Sequence, residues 1–314
     1  MYSIGIDIGG TNTDMGLVDS KGSIVRRSNI PTSKYTDHRV YINDVMGCLT
    51  AMCREEGIDG VSVANGIEGI GIGAPNGNFY TGCVDNAPNL TMKGVLDFKS
   101  DFSKYTDVPV VLSNDANAAA YGEYIYGGAK GLRHFIMFTL GTGVGSGIVV
   151  DGQLVHGSTG GAGELGHNIL IPNGRDCSCG RKGCLEAYTS ARGIVQTYRE
   201  CCTEAGLTAK EDISCREIGD LAHKGDAVAL ECWRRTGEWL GLAMANAVSF
   251  SAPEAIFLMG GPANVGEPLM VPLRKSFEEN LLYIYKDTCK IEMSKLKANE
   301  VAILGAAALI HLKR

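Results

Sequence analysis

Residues 4–11 read Ile-Gly-Ile-Asp-Ile-Gly-Gly-Thr, an apolar strand pattern that runs directly into a glycine turn. A second stretch, residues 139–147, reads Thr-Leu-Gly-Thr-Gly-Val-Gly-Ser-Gly. With residues 6–14, it forms a weak internal repeat of strand, glycine-rich turn and strand. Helical patterns follow the strands in both halves of the chain. The sequence therefore predicts an α/β fold built from two similar halves.

The two glycine turns are candidate phosphate-binding loops. Without a Cβ, successive backbone N–H groups can approach an anion closely. No G-K-[S/T] follows either turn and the spacing is not G-x-G-x-x-G, so neither a Walker A nor a Rossmann motif is indicated. Ordinary hairpin turns are the alternative for each loop by itself. Asp7 lies inside the first apolar strand, and a buried carboxylate needs a partner such as hydrated Mg²⁺.

A second candidate is the run Asn114-Asp115-Ala116-Asn117, which follows an apolar strand pattern and opens an alanine-rich helical stretch. Ligands bind at the carboxyl ends of strands in open α/β sheets. A carboxylate there can act as a general base that takes a proton from a hydroxyl nucleophile. The alternative is a plain helix N-cap.

Three cysteines and a histidine lie close together in the chain, at His167, Cys177, Cys179 and Cys184. Three thiols and one imidazole match a Cys₃His zinc set, and glycines between them permit the turns of a metal loop. Four protein ligands leave no open position, so the zinc would be structural. Free thiols are the alternative.

Two acidic residues flank this cluster, Glu164 on one side and Glu186 on the other. A closed metal loop would bring both carboxylates towards one cavity, where they could accept hydrogen bonds from sugar hydroxyls. Solvated surface charge is the alternative.

Composition excludes several classes of protein. The 314 residues carry a net charge of −6, which provides no basic field for nucleic acid or an anionic membrane. The N-terminal pattern lacks a signal peptide and no apolar run reaches the ~18–20 residues of a transmembrane helix. We therefore expect a cytoplasmic protein. The odd count of 11 cysteines argues against a disulfide framework.

Together these motifs resemble those of the ROK family of sugar kinases (repressors, open reading frames, kinases), within the actin-like ATPase superfamily. The resemblance spans essentially the whole chain. It rests on Asp7–Thr11, Gly71–Pro75, Asn114–Asn117, Leu140–Gly145, Gly163–His167 and Cys177–Glu186. It implies two ribonuclease-H-like α/β lobes with an interlobe cleft and a zinc-bound loop. Residues 1–113 with a C-terminal helix at about 301–314 would form the small lobe, and residues 114–300 the large lobe with the zinc loop and dimerisation helices.

The resemblance also implies an activity: ATP-dependent phosphorylation of an aldohexose at its C6 hydroxyl, closest to the glucokinases of the family. Asp115 would be the catalytic base. The implied sugar contacts are Asn89, Asn114, Asp115, Glu164, His167 and Glu186. The implied nucleotide contacts are Gly9, Gly10, Thr11, Asn12, Gly141, Thr142 and Gly143, with Gly260 and Gly261 at the adenosine and Asp7 holding Mg²⁺ through water. Structural Zn²⁺ would be bound by His167, Cys177, Cys179 and Cys184, and the protein would form a homodimer.

Two other activities stay open at this point. An N-acetylhexosamine kinase, acting on N-acetylglucosamine or N-acetylmannosamine, would share the same catalytic residues. A non-catalytic sugar sensor is the other alternative, although the repressors of the family carry a helix-turn-helix before the lobes and here the phosphate loop already begins at Asp7. Many kinases of the family have a lysine soon after Gly-Gly-Thr, whereas this chain has Asn12-Thr13-Asp14. Asp14 either faces away from the phosphate loop or weakens nucleotide affinity.

Overall fold

The computed structural model describes residues 1–312, and within that range it contains twelve β-strands and nine α-helices. The strands are β1 Tyr2–Ile8, β2 Thr13–Asp19, β3 Ile24–Ile30, β4 Ile67–Ala74, β5 Val84–Asp85, β6 Val95–Leu96, β7 Val110–Asn114, β8 Phe135–Leu140, β9 Val144–Val150, β10 Gln153–Leu154, β11 Ala255–Met259 and β12 Lys290–Met293. The helices are α1 His38–Glu55, α2 Phe98–Phe102, α3 Asp115–Tyr126, α4 Glu186–Thr189, α5 Ala191–Glu204, α6 Cys215–His223, α7 Ala227–Ser251, α8 Glu267–Asn280 and α9 Val301–Ala308.

Two five-stranded sheets dominate the architecture. The first has the order β3-β2-β1-β4-β7, and the second has the order β10-β9-β8-β11-β12. In the first sheet β1, β2 and β3 are antiparallel, while β4 and β7 run parallel to β1. In the second, β11 is parallel to both β8 and β12, and β10 is antiparallel to β9. The two orders match strand for strand, which confirms the predicted α/β class and the internal repeat.

The opening sequence sets the two faces of β1 because alternate side chains point to opposite faces of a strand. Ile4, Ile6 and Ile8 are buried in one apolar core together with residues of α1. Gly5 lies on the other face, where helix α9 approaches the strand. A Cβ on Gly5 would lie 2.1 Å from the carbonyl oxygen of Ile303, so only glycine permits this packing. Asp7 shares the face of Gly5.

The contacts within the chain group it into two compact units. The first comprises residues 1–132, 147–162 and 294–312, and the second comprises residues 133–146 and 163–293. The sequence placed a lobe boundary before residue 114, whereas the contacts group α3 with the first unit, where it packs against α9. Residues 313 and 314 of the predicted small lobe lie outside the described residues.

Some elements differ from the sequence prediction. The C-terminal helix, expected at about residues 301–314, ends as an α-helix at Ala308 and continues as a 3-10 turn over Leu309–His311. Helix α8 and strand β12 were not predicted. Pro268 at the start of α8 and Pro272 inside it conceal the helical pattern, since proline lacks the N–H that a helix interior uses. Within residues 1–312, no helix combines the length and apolarity needed to span a bilayer.

Candidate functional site

In the first unit, two aspartates meet at the ends of neighbouring strands. Asp7 lies near the end of β1, and Asp115 follows directly after β7. Both border Gly73 of β4: a Cβ there would lie 3.6 Å from Asp7 Oδ1 and 3.8 Å from the Asp115 Cα. The structure therefore brings together two carboxylates that the sequence separates by more than one hundred residues.

Burial raises the pKa of both acids, and repulsion by neighbouring carboxylates raises that of Asp7 further. Burial, with the charges of Asp115 and Asp14 added, raises the pKa of Asp7 to about 7. Desolvation by the surrounding protein also raises the pKa of Asp115. The residue still presents an exposed surface to solvent. A carboxylate with a raised pKa holds a proton more strongly, which suits a general base or a site for a cation.

Asp14 pairs directly with Asp7 across β1 and β2. Residues opposite each other in an antiparallel pair have their side chains on the same face. Asp14 accepts a hydrogen bond from the amide nitrogen of Asn29 at 2.7 Å, and its charge contributes to the raised pKa of Asp7. It therefore lies on the same face as Asp7 rather than facing away.

The raised pKa of Asp7 predicts a pH-dependent stability. Because the pKa in the folded protein exceeds the ordinary aspartate value of 3.8, stability from this group is greatest below about pH 4 and is lost as pH rises through about 7. The full shift corresponds to about 4 kcal/mol, and partial exposure reduces it, so we expect Asp7→Asn to raise the free energy of unfolding at pH 8 by about 2 kcal/mol. Urea unfolding at pH 5 and pH 8, without added magnesium, measures the difference.

Asp19→Asn is the control for that experiment, because the contribution of Asp19 to stability changes with pH in the opposite direction. Backbone N–H groups of Ser23 and Lys21 donate to the Asp19 carboxylate and lower its pKa. Stability from Asp19 is present above about pH 4 and is lost as the pH falls. An Asp7→Asn protein that is no more stable than wild type at pH 8 contradicts the prediction.

The hydrogen bonds at the N-terminus of α3 show which residue of the run Asn114-Asp115 is the helix N-cap. The side chain of Asn114 is the N-cap: its Oδ1 accepts from the backbone N–H of Ala116 at 2.8 Å and of Asn117 at 3.4 Å. Asp115 is the first helical residue, and its Oδ1 also accepts from Ala116 at 2.8 Å. Since Asn114 already caps the helix, Asp115 is not needed for capping.

The first glycine turn is closed by a hydrogen bond from the Gly9 N–H to the Asn12 carbonyl at 2.9 Å. Gly10 packs against the backbone of Asn89, whose carbonyl oxygen lies 2.5 Å from where a Gly10 Cβ would be. Thr11, Asn12 and Asn89 are all exposed. The structure thus places Asn89 beside the turn.

In the second unit, Glu186 joins the second glycine turn to the cysteine-rich loop. Its Oε2 accepts a hydrogen bond from the Val144 N–H at 3.0 Å, and its Oε1 accepts one from the Ser178 hydroxyl at 3.0 Å. A Cβ on Gly143 would lie 2.5 Å from Oε2, so glycine at this position lets the carboxylate approach the turn. Glu186 is half-buried and is not the solvated surface charge that was the alternative.

The four predicted metal ligands converge in the structure. The potential ligand atoms of His167, Cys177, Cys179 and Cys184 all lie within 4.8 Å of one another. The Cys179 and Cys184 sulfurs are 3.6 Å apart, and Cys177 Sγ lies 3.7 Å from His167 Nδ1. A tetrahedron with zinc–ligand bonds of about 2.0–2.3 Å has edges of about 3.3–3.8 Å. The residues therefore fit a zinc ion in both donor type and spacing.

The electrostatics of the loop favour a thiolate at Cys179 and a protonated thiol at Cys184, whose pKa burial raises to about 12. Hydrogen bonding from the backbone N–H of Arg181, with smaller contributions from neighbouring side chains, lowers the pKa of Cys179 to about 6. Metal ions bind cysteine as the thiolate, so a lowered pKa favours binding at neutral pH.

His167 and Glu186 lie on either side of Cys177. Cys177 Sγ is 3.7 Å from His167 Nδ1 and 3.8 Å from Glu186 Oε1. Because Nδ1 of His167 faces the cysteine cluster, its Nε2 points away from that cluster. The imidazole can therefore serve a metal with one nitrogen and a second ligand with the other.

Ser146 was missed by the sequence analysis. Its buried hydroxyl donates to the carbonyl of Gly163 and accepts from the Leu165 N–H at 3.1 Å. These two bonds hold the backbone on both sides of Glu164. Only its position inside the second glycine motif could have indicated this role.

A cavity of about 610 Å³ opens beside the second glycine turn within the second unit. Its lining includes the predicted residues Gly141 and Gly261, together with Gly219 of α6 and Trp233 of α7. Trp233 is 1% exposed and its indole nitrogen has no hydrogen-bond partner. Helix α6 and Trp233 carry no motif, so no residue pattern could have indicated their place at this cavity.

Comparison with known proteins shows which family this chain resembles over its whole length. The ROK family model matches residues 3–313. A glucokinase of Halalkalibacterium halodurans is 33% identical, covering 98% of this chain and 94% of that protein. A ROK family glucokinase from Streptomyces griseus, solved with glucose and AMPPNP, is 31% identical with a TM-score of 0.78, covering 98% and 99% of the two chains.

A third similar protein carries a different name. A candidate N-acetylmannosamine kinase from Listeria monocytogenes is 26% identical with a TM-score of 0.76, covering 99% of this chain and 98% of that one. The family match, the full-length similarity and the repeated sheet order agree with one another. The chain therefore belongs to the ROK family and has its actin-like ATPase fold.

Proposed function

We propose that this protein is a hexokinase-type sugar kinase that transfers the γ-phosphoryl group of ATP to the C6 hydroxyl of an aldohexose, with glucose as the preferred substrate. The observation that carries the proposal is the Asp7–Asp115 pair at the ends of adjacent strands in the first unit. Full-length similarity to proteins named glucokinase supports the class of reaction and of substrate.

Asp115 acts as the general base in this proposal. Its accessible carboxylate takes the proton from the C6 hydroxyl as the oxygen attacks the γ-phosphorus, and ADP leaves on the opposite side. The raised pKa of Asp115 makes it a stronger base than an ordinary aspartate. The capping hydrogen bonds of Asn114 hold the start of α3 rigid, which keeps the base in place.

The nucleotide contacts are proposed on the two glycine turns. Gly10, Thr11 and Asn12 of the first turn and Thr142 and Gly143 of the second offer backbone N–H groups to phosphates. Gly9 and Gly141 close the two turns with their own N–H groups and, without a Cβ, let the phosphates approach. Gly260 and Gly261 contribute to the adenosine site, and the large cavity of the second unit supports that assignment. When bound, Mg²⁺ neutralises phosphate charge, and Asp7 is the residue that would hold it through water.

The sugar contacts are proposed on Asn89, Asn114 and Asp115 of the first unit and on Glu164, His167 and Glu186 of the second. Carboxylates and an imidazole nitrogen suit hydroxyl groups, which both donate and accept hydrogen bonds. Structural zinc would be held by His167, Cys177, Cys179 and Cys184, and it stabilises the loop that carries these contacts. A homodimer remains a prediction from the family resemblance.

An N-acetylhexosamine kinase is the second candidate function. The similarity to the Listeria monocytogenes protein favours it, since the same base and phosphate turns serve both reactions. Only the pocket around the 2-substituent of the sugar separates the two, and such discrimination often amounts to about 1–3 kcal/mol.

The test is ADP release from purified protein with Mg-ATP and a panel of six sugars: glucose, mannose, fructose, allose, N-acetylglucosamine and N-acetylmannosamine. We expect kcat/KM for glucose to exceed that for every other sugar by about tenfold or more. A preference for an N-acetylhexosamine would keep the mechanism and replace the substrate. No activity on any sugar, in a folded and zinc-loaded sample, would favour a sensing protein and overturn the proposal.

A further inference from the structure

Arg175 is a buried cation of the second unit that has no role in the proposed reaction. It lies two residues before Cys177, and its side chain is only 9% exposed. One guanidinium nitrogen, Nη1, donates to the backbone carbonyls of Ala187 at 3.0 Å and Gly193 at 3.2 Å. The other, Nη2, donates to the Thr197 hydroxyl at 3.0 Å and to the Glu200 carboxylate. A single side chain therefore ties the cysteine-rich loop to helices α4 and α5.

Aromatic contacts and backbone hydrogen bonds strengthen this connection. The guanidinium carbon lies 4.6 Å from the ring centre of Tyr188 and 5.5 Å from that of Trp239. The backbone N–H of Arg175 donates to the Tyr188 hydroxyl at 2.8 Å, and its carbonyl accepts from the Gly183 N–H at 2.8 Å. Cation–π contacts are strongest where water is excluded, as it is here.

Helix α4 depends on such external contacts. It has only four residues, begins at Glu186, and lacks a side-chain N-cap. A helix this short is not stable by its own hydrogen bonds. Arg175 contacts two of its four residues, Ala187 and Tyr188. The position of Glu186 against the Val144 N–H therefore depends on the contacts that hold α4.

We propose that Arg175 is a positioning residue that fixes α4 and thereby aligns the Glu186 carboxylate for binding the sugar. Arg175 acts through α4 and does not touch the sugar. This inference rests on the proposed function, which assigns Glu186 to a sugar hydroxyl. Removing the guanidinium takes the Arg175 donor from the Ala187 carbonyl of α4 and the cation from the Tyr188 ring, whereas the Gly193 carbonyl of α5 keeps the Thr197 hydroxyl as a donor. The lost contacts are those that hold α4, so α4 is the helix that moves.

The decisive variant is Arg175→Met, which keeps most of the side-chain volume and loses the donors. We expect KM for the sugar to rise about tenfold or more while KM for ATP changes less than twofold. Amide hydrogen exchange across residues 185–190 should accelerate, and zinc content should stay at the wild-type value. Glu186→Gln should raise KM for the sugar in the same way, without changing exchange across α4. Arg175→Lys, which retains one donor group, should recover part of the lost sugar affinity.

Arg235→Met is the matched control. Arg235 is a partly buried arginine of the same unit, paired with Glu204 and Glu231, and neither partner is on α4. Its loss should lower stability and leave KM for the sugar unchanged. If Arg175→Met does not fold, Glu200→Gln replaces it: this change weakens one contact of Arg175 and should raise KM for the sugar about twofold to threefold.

Several results would overturn the inference. In folded Arg175→Met, these are an unchanged KM for the sugar or equal increases in KM for the sugar and for ATP. An equal increase of the sugar KM in Arg235→Met is a third. If Arg175→Met is unfolded, an unaltered sugar KM in Glu200→Gln is the fourth. Each leaves the proposed function intact as long as the wild-type protein phosphorylates a sugar. A wild-type protein that phosphorylates none of the panel instead overturns the proposed function. Amide exchange across α4 in Arg175→Met then still measures whether Arg175 holds that helix in place.

Discussion

Asp115→Asn is expected to fold normally, bind sugar with near-normal affinity and lose turnover by about 10²–10⁴-fold, the range that one general base contributes. Asparagine has almost the same shape as aspartate and cannot accept the proton of the C6 hydroxyl. The cap of α3 is unaffected, because Asn114 provides it. The loss should therefore fall on kcat rather than on KM for the sugar.

Steady-state kinetics with the preferred sugar, together with thermal melting, measures this prediction. Asp97→Asn is the matched control, since Asp97 also lies at a helix N-terminus of the first unit and caps α2 through the Ser100 N–H. Asparagine caps as well as aspartate, so that variant should keep full activity. Turnover of Asp115→Asn within threefold of wild type would remove Asp115 as the base.

Cys179→Ser is expected to lose the metal and a large part of the stability of the second unit. Serine is a poor zinc ligand, and the three remaining ligands cannot close a tetrahedral structural site. Binding free energy at such a site is folding free energy, so we expect a loss on the order of 4 kcal/mol or more. Glu186 and His167 both contact Cys177, so sugar affinity should fall as well.

Zinc content per chain and the midpoint of thermal unfolding are the two measurements for this variant. Cys289→Ser is the control, because Cys289 is a half-buried thiol of the same unit that donates to the Lys290 carbonyl and lies outside the metal-ligand cluster. It should retain zinc and melt within a few degrees of wild type. A wild-type protein that carries no zinc and is fully stable would falsify the structural-zinc proposal.

Much of the fold could be predicted because its signals are local. Alternation of isoleucine with glycine and aspartate in residues 4–8 sets the two faces of β1. The short spacing of Cys177, Cys179 and Cys184 predicted that their thiols converge, and in the structure they do. A short loop has few ways to arrange three close thiols. Asp-Gly is a local turn signal, and Asp151-Gly152 forms the turn between β9 and β10 with the positive φ values that such a turn requires.

Other features could not be predicted because they arise from contacts between residues far apart in the chain. Helix α8 contains Pro272 and is stabilised by packing against α7, which outweighs a poor local pattern. The cavity beside Gly141 is lined by Gly219 and Trp233 from helices that carry no motif. The contacts of Arg175 with α4 and α5 likewise have no signature in the sequence.

The sequence by itself determined the α/β class and the paired glycine turns, and it indicated the candidate metal-ligand set and the candidate base, because each depends on residue types at short spacing. Only the tertiary structure decided that Asn114 and not Asp115 caps α3, that Asp14 lies on the face of Asp7, and that burial beside Asp115 raises the pKa of Asp7 to about 7. Proton affinity depends on the solvent and charges that surround a group, and strand pairing and helix packing alone bring those charges together.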